Sequence, residues 1–287
     1  MPRTATTLDY SRRIQAVIAH IGEHLDGDLS LERLADVACL SPYHFHRIYR
    51  HLTGETVAET IRRLRLARAA ADLVRDRGTL ERVARRAGYG SVAAFTRAFG
   101  GTYGTTPAAY RAAGRLVSPA MHSSPIADED TAMTYDVEIR DSAPLTLAAM
   151  RHTGPYMGIG AVFDRLYAWA APRGLAGRET PGIGLYWDDP GSVPEARLRS
   201  AAALPVTTPV DDPAVETLTL PAGPCAVIRH VGPYAELERP YQWLYREWLP
   251  TSGREPADQP CREVYLNDPR TTPPAELVTE IHLPLKA

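Results

Sequence analysis

One carboxylate in this chain stands beside a tyrosine at strand spacing, in the half richest in aromatic side chains. In residues 262–266 a period of two puts Glu263 and Tyr265 on one face and Val264 and Leu266 on the other. All four tryptophans (Trp169, Trp187, Trp243 and Trp248) and eight of the fourteen tyrosines lie beyond residue 133. A carboxylate among rings attracts organic cations, through its charge and through the ring faces. Burial among rings would also lift its pKa toward the range of a general base, with a phenol beside it as donor. A plainer role is open too, a solvated carboxylate on an exposed sheet face above ordinary core aromatics. Spacing alone does not choose between them.

A second set of candidates sits near the other end. In residues 41–51, Phe45, Ile48 and Tyr49 make an apolar stripe at helical spacing, which leaves Tyr43, His46, Arg47 and Arg50 outward. In residues 91–99, Phe95 and Phe99 leave Val92, Ala93, Thr96 and Arg97 outward. Arginine can bond guanine bidentately, histidine can donate or accept at a base edge, and the methyls of Val, Ala and Thr can meet thymine methyls. One such helix alone would read as a solvated basic face. Two in matched register favour base reading.

Internal duplications identify the elements that must position these residues. SLERLADVAC (30–39) recurs as TLERVARRAG (79–88), offset by 49, and beyond the turn the offset becomes 50, pairing Phe45 with Phe95 and Arg47 with Arg97. Ser30 and Thr79 are hydroxyl caps with Glu32 and Glu81 in the first helical turn. Each short helix ends in a tight turn, at Gly88 in the second copy but at Cys39 in the first, where a side chain is costly. Ser41-Pro42 and Ser91 then start second helices. Helix, short turn, helix is the arrangement that lays a helix in a major groove. Residues 59–77 read as one helix anchored by Ile61, Leu64, Leu73 and Val74. At ~1.5 Å per residue it is a strut of roughly 28 Å, near the ~34 Å between successive major grooves on one face.

The other half carries its own duplication. RHTGPY (151–156) recurs as RHVGPY (229–234), and LYWDDP (185–190) matches VYLNDP (264–269), at offsets of 78 and 79. Each copy reads strand, turn, helix, strand, strand. The strands lie at 145–151 and 225–230, the helices at 160–171 and 236–249, and turn chemistry follows at Asp-Asp-Pro-Gly and Asn-Asp-Pro-Arg. Two such units should join edge to edge into one antiparallel sheet with helices on one face. Val264 and Leu266 are expected under the helices, which turns Glu263 and Tyr265 to the opposite face. The positions equivalent to Glu263 and Tyr265 are Gly184 and Tyr186. The copies therefore share a tyrosine while only one bears a carboxylate, as a single off-centre site requires.

Composition bounds the remaining choices. With 287 residues, 44% of them hydrophobic and 23% charged, the chain is globular and fits two domains. Net charge is −2, but residues 1–115 hold 18 Arg against 11 acidic residues and the remainder is net −9, so a basic half is tied to an acidic one. No apolar run is long enough to span a bilayer, and residues 1–9 do not resemble a signal peptide. Cys39, Cys225 and Cys261 are scattered, without metal-binding spacing. The expectations are reduced thiols in the cytoplasm, no membrane, no metal and no cofactor. The domains read as 1–113 (all-α, tandem helix-turn-helix), a linker at 114–133 rich in Ala, Ser and Pro, and 134–287 (α+β, two duplicated β-α-β-β units).

Residues 10–113 closely resemble the DNA-binding domain of the AraC family. Its closing signature stands here as Phe99, Tyr103, Gly104, Thr106, Pro107, Tyr110 and Arg111. The resemblance implies base contacts by Tyr43, His46 and Arg47 in the first unit and by Val92, Ala93, Thr96 and Arg97 in the second. Val92 and Ala93 replace polar residues frequent in that family, which points the second helix toward methyl contacts or phosphate positioning. Residues 134–285 resemble the GyrI-like domains, related to the effector-binding domains of Rob and BmrR, through E-V-Y-L-N-D-P (263–269) and I-H-L-P-L (281–285). That likeness implies a pocket for bulky hydrophobic, often cationic compounds around Glu263, with a looser carry-over to Tyr156, Tyr186, Tyr234, Trp248 and Tyr265.

The expected function is a DNA-binding transcription regulator governed by a small-molecule effector, activating by contact with RNA polymerase. The alternative is an enzyme. Some relatives of the second domain hydrolyse strained electrophilic rings with a pocket glutamate, so Glu263 and Tyr265 would make it a hydrolase of cyclopropane-type genotoxins. Binding to DNA gyrase, a property of the relatives that give the domain its name, ranks last because an attached DNA reader makes it unnecessary.

Overall fold

The computed structural model describes residues 5–75, 78–116, 134–177 and 180–287. The linker expected over 114–133 lies for the most part outside them, as do the last two residues of the helix expected over 59–77. Among the described residues, seven helices come first: α1 (Ala5–Glu23), α2 (Leu31–Ala38), α3 (Pro42–Thr53), α4 (Val57–Val74), α5 (Leu80–Arg86), α6 (Val92–Tyr103) and α7 (Pro107–Ala113). Their starts follow from hydroxyl caps. Ser30 accepts from the Arg33 amide and Thr79 from that of Arg82, and Ser41, Thr56, Ser91 and Thr106 do the same for the four other helices after α1. Each cap satisfies an amide that helix geometry leaves without a partner.

The two helix-turn-helix units are α2–α3 and α5–α6. The turn of the first passes through Cys39 in a left-handed conformation, φ 53°, where the second has Gly88 at φ 88°. A β-carbon crowds the following carbonyl there, so the first turn stores strain that the second lacks. Helix α4 belongs to both units. Ile61 and Leu64 pack on the core of the first, and Leu66, Ala69, Ala70 and Leu73 are buried in the second with Val83, Phe95, Phe99 and Tyr110. At 18 residues it is a strut of roughly 27 Å.

The described residues beyond α7 build one eight-stranded antiparallel sheet carrying two α-helices. In chain order the elements are β1 (Val137–Ser142), β2 (Leu145–Thr153), α8 (Gly160–Ala170), β3 (Gly182–Tyr186), β4 (Arg199–Pro205), β5 (Glu216–Leu220), β6 (Gly223–Val231), α9 (Glu238–Trp243), β7 (Cys261–Tyr265) and β8 (Val278–Pro284). Across the sheet the strands run β1-β6-β8-β7-β3-β4-β2-β5. Exchanging each strand for its repeat mate and reversing that order reproduces it, so an internal two-fold axis passes between β3 and β7. The expected edge-to-edge join is this central pair, with Gly184 directly opposite Glu263. Each copy also has a strand more than expected, and these two are exchanged. β1 pairs with β6 of the second copy, and β5 with β2 of the first.

Alternation along the strands sorts the two faces. On one, Ala148, Tyr186, Ala202 and Leu204 pack with Val162, Leu166 and Ala170 of α8, and Ala226, Ile228, Ile281 and Leu283 pack with Leu237, Leu244, Tyr245 and Leu249 around α9. On the other, Leu147, Ala149, Ile183, Leu185, Ala201 and Ala203 form a separate core. The helix expected over 236–249 is irregular. α9 widens at Leu244–Trp248 into a π turn, with single 3-10 turns at Tyr234–Glu236 and Leu249–Thr251. The core around α9 does not stop at the domain edge. It runs without a break into Tyr10, Ile14, Val17 and Ile21 of α1 and Leu34, Phe45, Ile48 and Tyr49 of the first helix-turn-helix.

Candidate functional site: a carboxylate cavity walled by a reading helix

A cavity of about 1960 Å³ lies between the helices and the sheet. Glu263 and Tyr265 share a face, as alternation requires, but it is the helix face. Val264 instead packs on the opposite core with Ile183 and Leu185. The expected orientation is thus reversed, for a physical reason. α8 packs on β2 and β4, and α9 with its π turn packs on β6 and β8, so each helix covers its own repeat. The central β3–β7 pair is left uncovered between them, and a polar group there meets a cavity.

Glu263 is only 5% exposed. The Tyr265 hydroxyl donates to Oε2 at 2.8 Å and the Tyr241 hydroxyl to Oε1 at 3.2 Å, while the Tyr186 and Tyr265 hydroxyls share a hydrogen bond of 2.7 Å. Burial pushes the carboxyl up to about 7, against the opposing pull of the Tyr265 and Tyr241 hydrogen bonds and the Arg47 charge. Burial, reinforced by the Glu263 charge, holds the phenols of Tyr186, Tyr241 and Tyr265 well above the ordinary tyrosine range. The opposing position is glycine. A β-carbon on Gly184 would come within 2.7 Å of the Tyr186 ring and 2.8 Å of the Tyr265 hydroxyl, so a side chain there would displace the tyrosines that hold Glu263.

Rings extend the wall. Tyr265 packs edge-on against Phe163 at 5.5 Å and tilted against Tyr234 at 5.1 Å, and Tyr186 meets Tyr156 edge-on at 4.7 Å. Glu263, Tyr265, Tyr186, Tyr156 and Tyr234 all line the cavity. Trp248 does not line it; at the end of the π turn it packs, half-buried, on the core shared with the N-terminal helices. Tyr241, Tyr245 and Phe163 were not anticipated in the lining. Tyr241 and Tyr245, four residues apart on one helical face, carried the signal that could have found the first two. Among the described residues no cluster of His, Cys, Asp or Glu could hold a metal ion.

The second helices of the two helix-turn-helix units occupy different surroundings. On α6, Ala93 and Arg97 are exposed and Val92 and Thr96 half-buried. On α3, Tyr43 and Arg50 are half-buried, whereas His46 is 3% and Arg47 7% exposed. The expectation that His46 and Arg47 face outward is not met in this arrangement, because the sheet domain covers them. Periodicity identifies the stripe that packs on the helix's own unit, and a second partner from far along the chain covers the other side. Arg47 donates to the Asp188 carbonyl at 3.0 Å, and its guanidinium stands 4.6 Å from the centre of the Tyr241 ring and 5.5 Å from that of Tyr245. His44, also buried, bonds the Tyr245 hydroxyl through Nδ1 at 2.6 Å and the Gln259 carbonyl through Nε2 at 2.9 Å. Burial, followed by the Arg47 charge, pushes His44 down to about 3 and His46 down to about 4, so both are neutral. Arg47, Arg50 and His51 of α3 complete the cavity wall.

Two helix-turn-helix units joined to a duplicated sheet with a cavity define a DNA-binding transcription regulator that carries a small-molecule-binding domain. Residues 135–286 match the family described as the GyrI-like small molecule binding domain, and residues 34–113 match a helix-turn-helix domain. The chain belongs to the GyrI-like family, with an AraC-type helix-turn-helix region ahead of that domain. Relatives match one half or the other. The DNA gyrase inhibitor of Edwardsiella piscicida is 33% identical over 156 residues, 52% of this chain and 97% of that protein. The regulatory protein SoxS of Escherichia coli is 32% identical over 104 residues, 36% of this chain and 97% of that protein. An uncharacterized HTH-type transcriptional regulator of Bacillus subtilis, YbfP, is 38% identical over 102 residues, covering 36% of this chain and 35% of that protein.

Proposed function

We propose that this regulator is a one-component sensor: a bulky hydrophobic cation enters the cavity beside Glu263, and the N-terminal half converts its arrival into transcription, by activation through RNA polymerase. Glu263 itself carries the reading. It is a buried carboxyl that accepts hydrogen bonds from the phenols of Tyr241 and Tyr265, in a wall of rings. Such a site rewards a ligand that brings both a positive charge and apolar surface. Tyr265, Tyr186, Tyr156 and Tyr234 are the proposed ligand-contacting partners. Tyr43, His46, Arg47 and Arg50 with Val92, Ala93, Thr96 and Arg97 are the proposed DNA contacts. A DNA reader with three free thiols suits the cytoplasm.

The test compares tetraphenylphosphonium with neutral triphenylphosphine oxide by quenching of intrinsic fluorescence. Glu263→Gln should weaken the cation roughly tenfold, the size of one desolvated charge contact, and leave the neutral compound within about twofold. Wild-type affinity for the cation should fall about tenfold from pH 8 to pH 6 as Glu263 takes up its proton near 7, and the variant should show no such fall. Equal losses for both compounds would contradict the charge role. The same raised pKa has the opposite sign for folding. Stability that this group supplies while protonated is lost as pH rises through about 7.

The raised carboxyl beside the Tyr265 donor also favours a second reading, general-base addition of water across a strained ring. Incubation with a cyclopropane-bearing genotoxin tests it. Hydrolysed product that disappears in Glu263→Gln supports it, and no turnover by the wild type dismisses it.

A further inference from the structure

The cavity has an occupant of the chemistry just described, supplied by the protein. Arg47 places a planar cation over the faces of Tyr241 and Tyr245, and the hydroxyl of Tyr241 is one of the two donors to Glu263. Its Nη2 is tied to the Asp188 carbonyl, which also accepts from Tyr156 on the far wall at 2.9 Å. We propose that Arg47 is the resident cation of the aromatic site, that it holds the first reading helix against the cavity, and that a ligand cation takes its place and frees α3 for DNA. This rests on the cation-sensing reading above and gives it a direction: ligand and DNA bind with mutual reinforcement.

Three observations favour displacement over a fixed structural contact. First, a side chain in the base-reading register of α3 cannot meet DNA while 7% exposed, so closure and reading by this helix exclude one another. Second, polar contacts rim the apolar core where α3 meets the sheet domain. Ser41 bonds Asp258 at 2.8 Å and Arg50 faces Asp189 at 3.6 Å, while Nε2 of His46 is buried with no hydrogen-bond partner. A buried orphan nitrogen costs free energy in the closed form that water would repay on opening. Third, the ring faces that hold Arg47 belong to the cavity, so an incoming cation and Arg47 compete for the same π surface. A ligand with higher affinity for the open form must shift the balance toward it, and linkage requires DNA to tighten ligand binding by the same factor.

The experiment uses the full chain, a duplex it selects from a random pool, and tetraphenylphosphonium as probe. Saturating probe should tighten DNA binding by a factor within the roughly 5–150-fold range of allosteric couplings, and the duplex should tighten the probe equally. Triphenylphosphine oxide should give a smaller factor. Tyr241→Leu, which removes the ring under Arg47, should raise DNA affinity several-fold without any probe and shrink the coupling. Tyr241→Phe keeps the ring and should retain most of the coupling, which separates loss of stacking from misfolding. Probe that binds without changing DNA affinity overturns this proposal alone. Ligand-free Tyr241→Leu that binds DNA like wild type does so too. Probe that does not bind at all removes the sensing reading and this proposal with it.

Discussion

Helices α3 and α6 are repeats of one design, each twelve residues long, capped by a serine, stopped by a left-handed glycine and carrying an arginine at the same register. Their fates differ. Every side chain from His44 to Tyr49 on α3 is buried, but α6 buries only Phe95 and Phe99. The helix that is richer in hydrogen-bonding residues is the covered one, and the helix with methyl groups and Arg97 is open. One chain thus holds an open copy of this helix and a covered one. The core beneath α6 is its own, whereas the core beneath α3 extends into the sheet domain.

The largest effects should come from that difference in cores. Phe45→Ala and Phe95→Ala each empty a fully buried site and should each cost about 3–5 kcal/mol. Phe95→Ala should lower only the thermal transition of the second helix-turn-helix unit. Phe45→Ala should also lower that of the sheet domain and weaken tetraphenylphosphonium binding. Identical melting behaviour of the two variants would mean the continuous core does not couple the halves.

Smaller, but aimed at the readers themselves, are the two arginines. Without ligand, Arg97→Ala should cost roughly 1–3 kcal/mol of DNA affinity, whereas in Arg47→Ala the release of α3 should offset the lost contact and leave little net change. With saturating tetraphenylphosphonium, Arg47→Ala should show a loss of that same size. Mobility-shift titrations with and without the cation measure both, and equal ligand-free losses would erase the distinction drawn between the helices.

The smallest effect lies in the turns. Cys39→Gly should stabilise the first unit by about 1 kcal/mol, since glycine adopts φ 53° without the crowding a β-carbon brings. Gly88→Ala, at φ 88°, should lose a comparable amount from the second. Denaturant midpoints report both, and a destabilised Cys39→Gly would assign the thiol a packing role.

Much of this architecture was legible from repetition. The 49-residue echo located both helix-turn-helix units, and the echo at 78 and 79 residues located the sheet repeats and made Gly184 the counterpart of Glu263. Local rules carried the caps at Ser30, Ser41, Thr79 and Ser91, because a hydroxyl and an amide two or three residues on meet whatever the rest of the chain does. The misses of orientation and burial are matters of distant partners. Alternation said that Glu263 and Tyr265 share a face but not which one, since that depends on where two helices leave a gap. The burial of His46 and Arg47 needs Asp188 and Tyr241, more than 140 residues away, and no helical period encodes them. His44 and His46, two histidines that can be neutral, were the visible hint that this face of α3 leaves water.

The strand exchange in the sheet has a bearing on how the molecule could come apart. β1 belongs by chain order to the first repeat and by hydrogen bonding to the second, and β5 reverses that. A protease nick in the connection between β4 and β5 would therefore not release two independent half-sheets. Each fragment would hold one strand that its partner needs and lack one that it needs itself. Separated, neither could close its sheet; mixed, they would re-form it by fragment complementation, each supplying the other's missing edge.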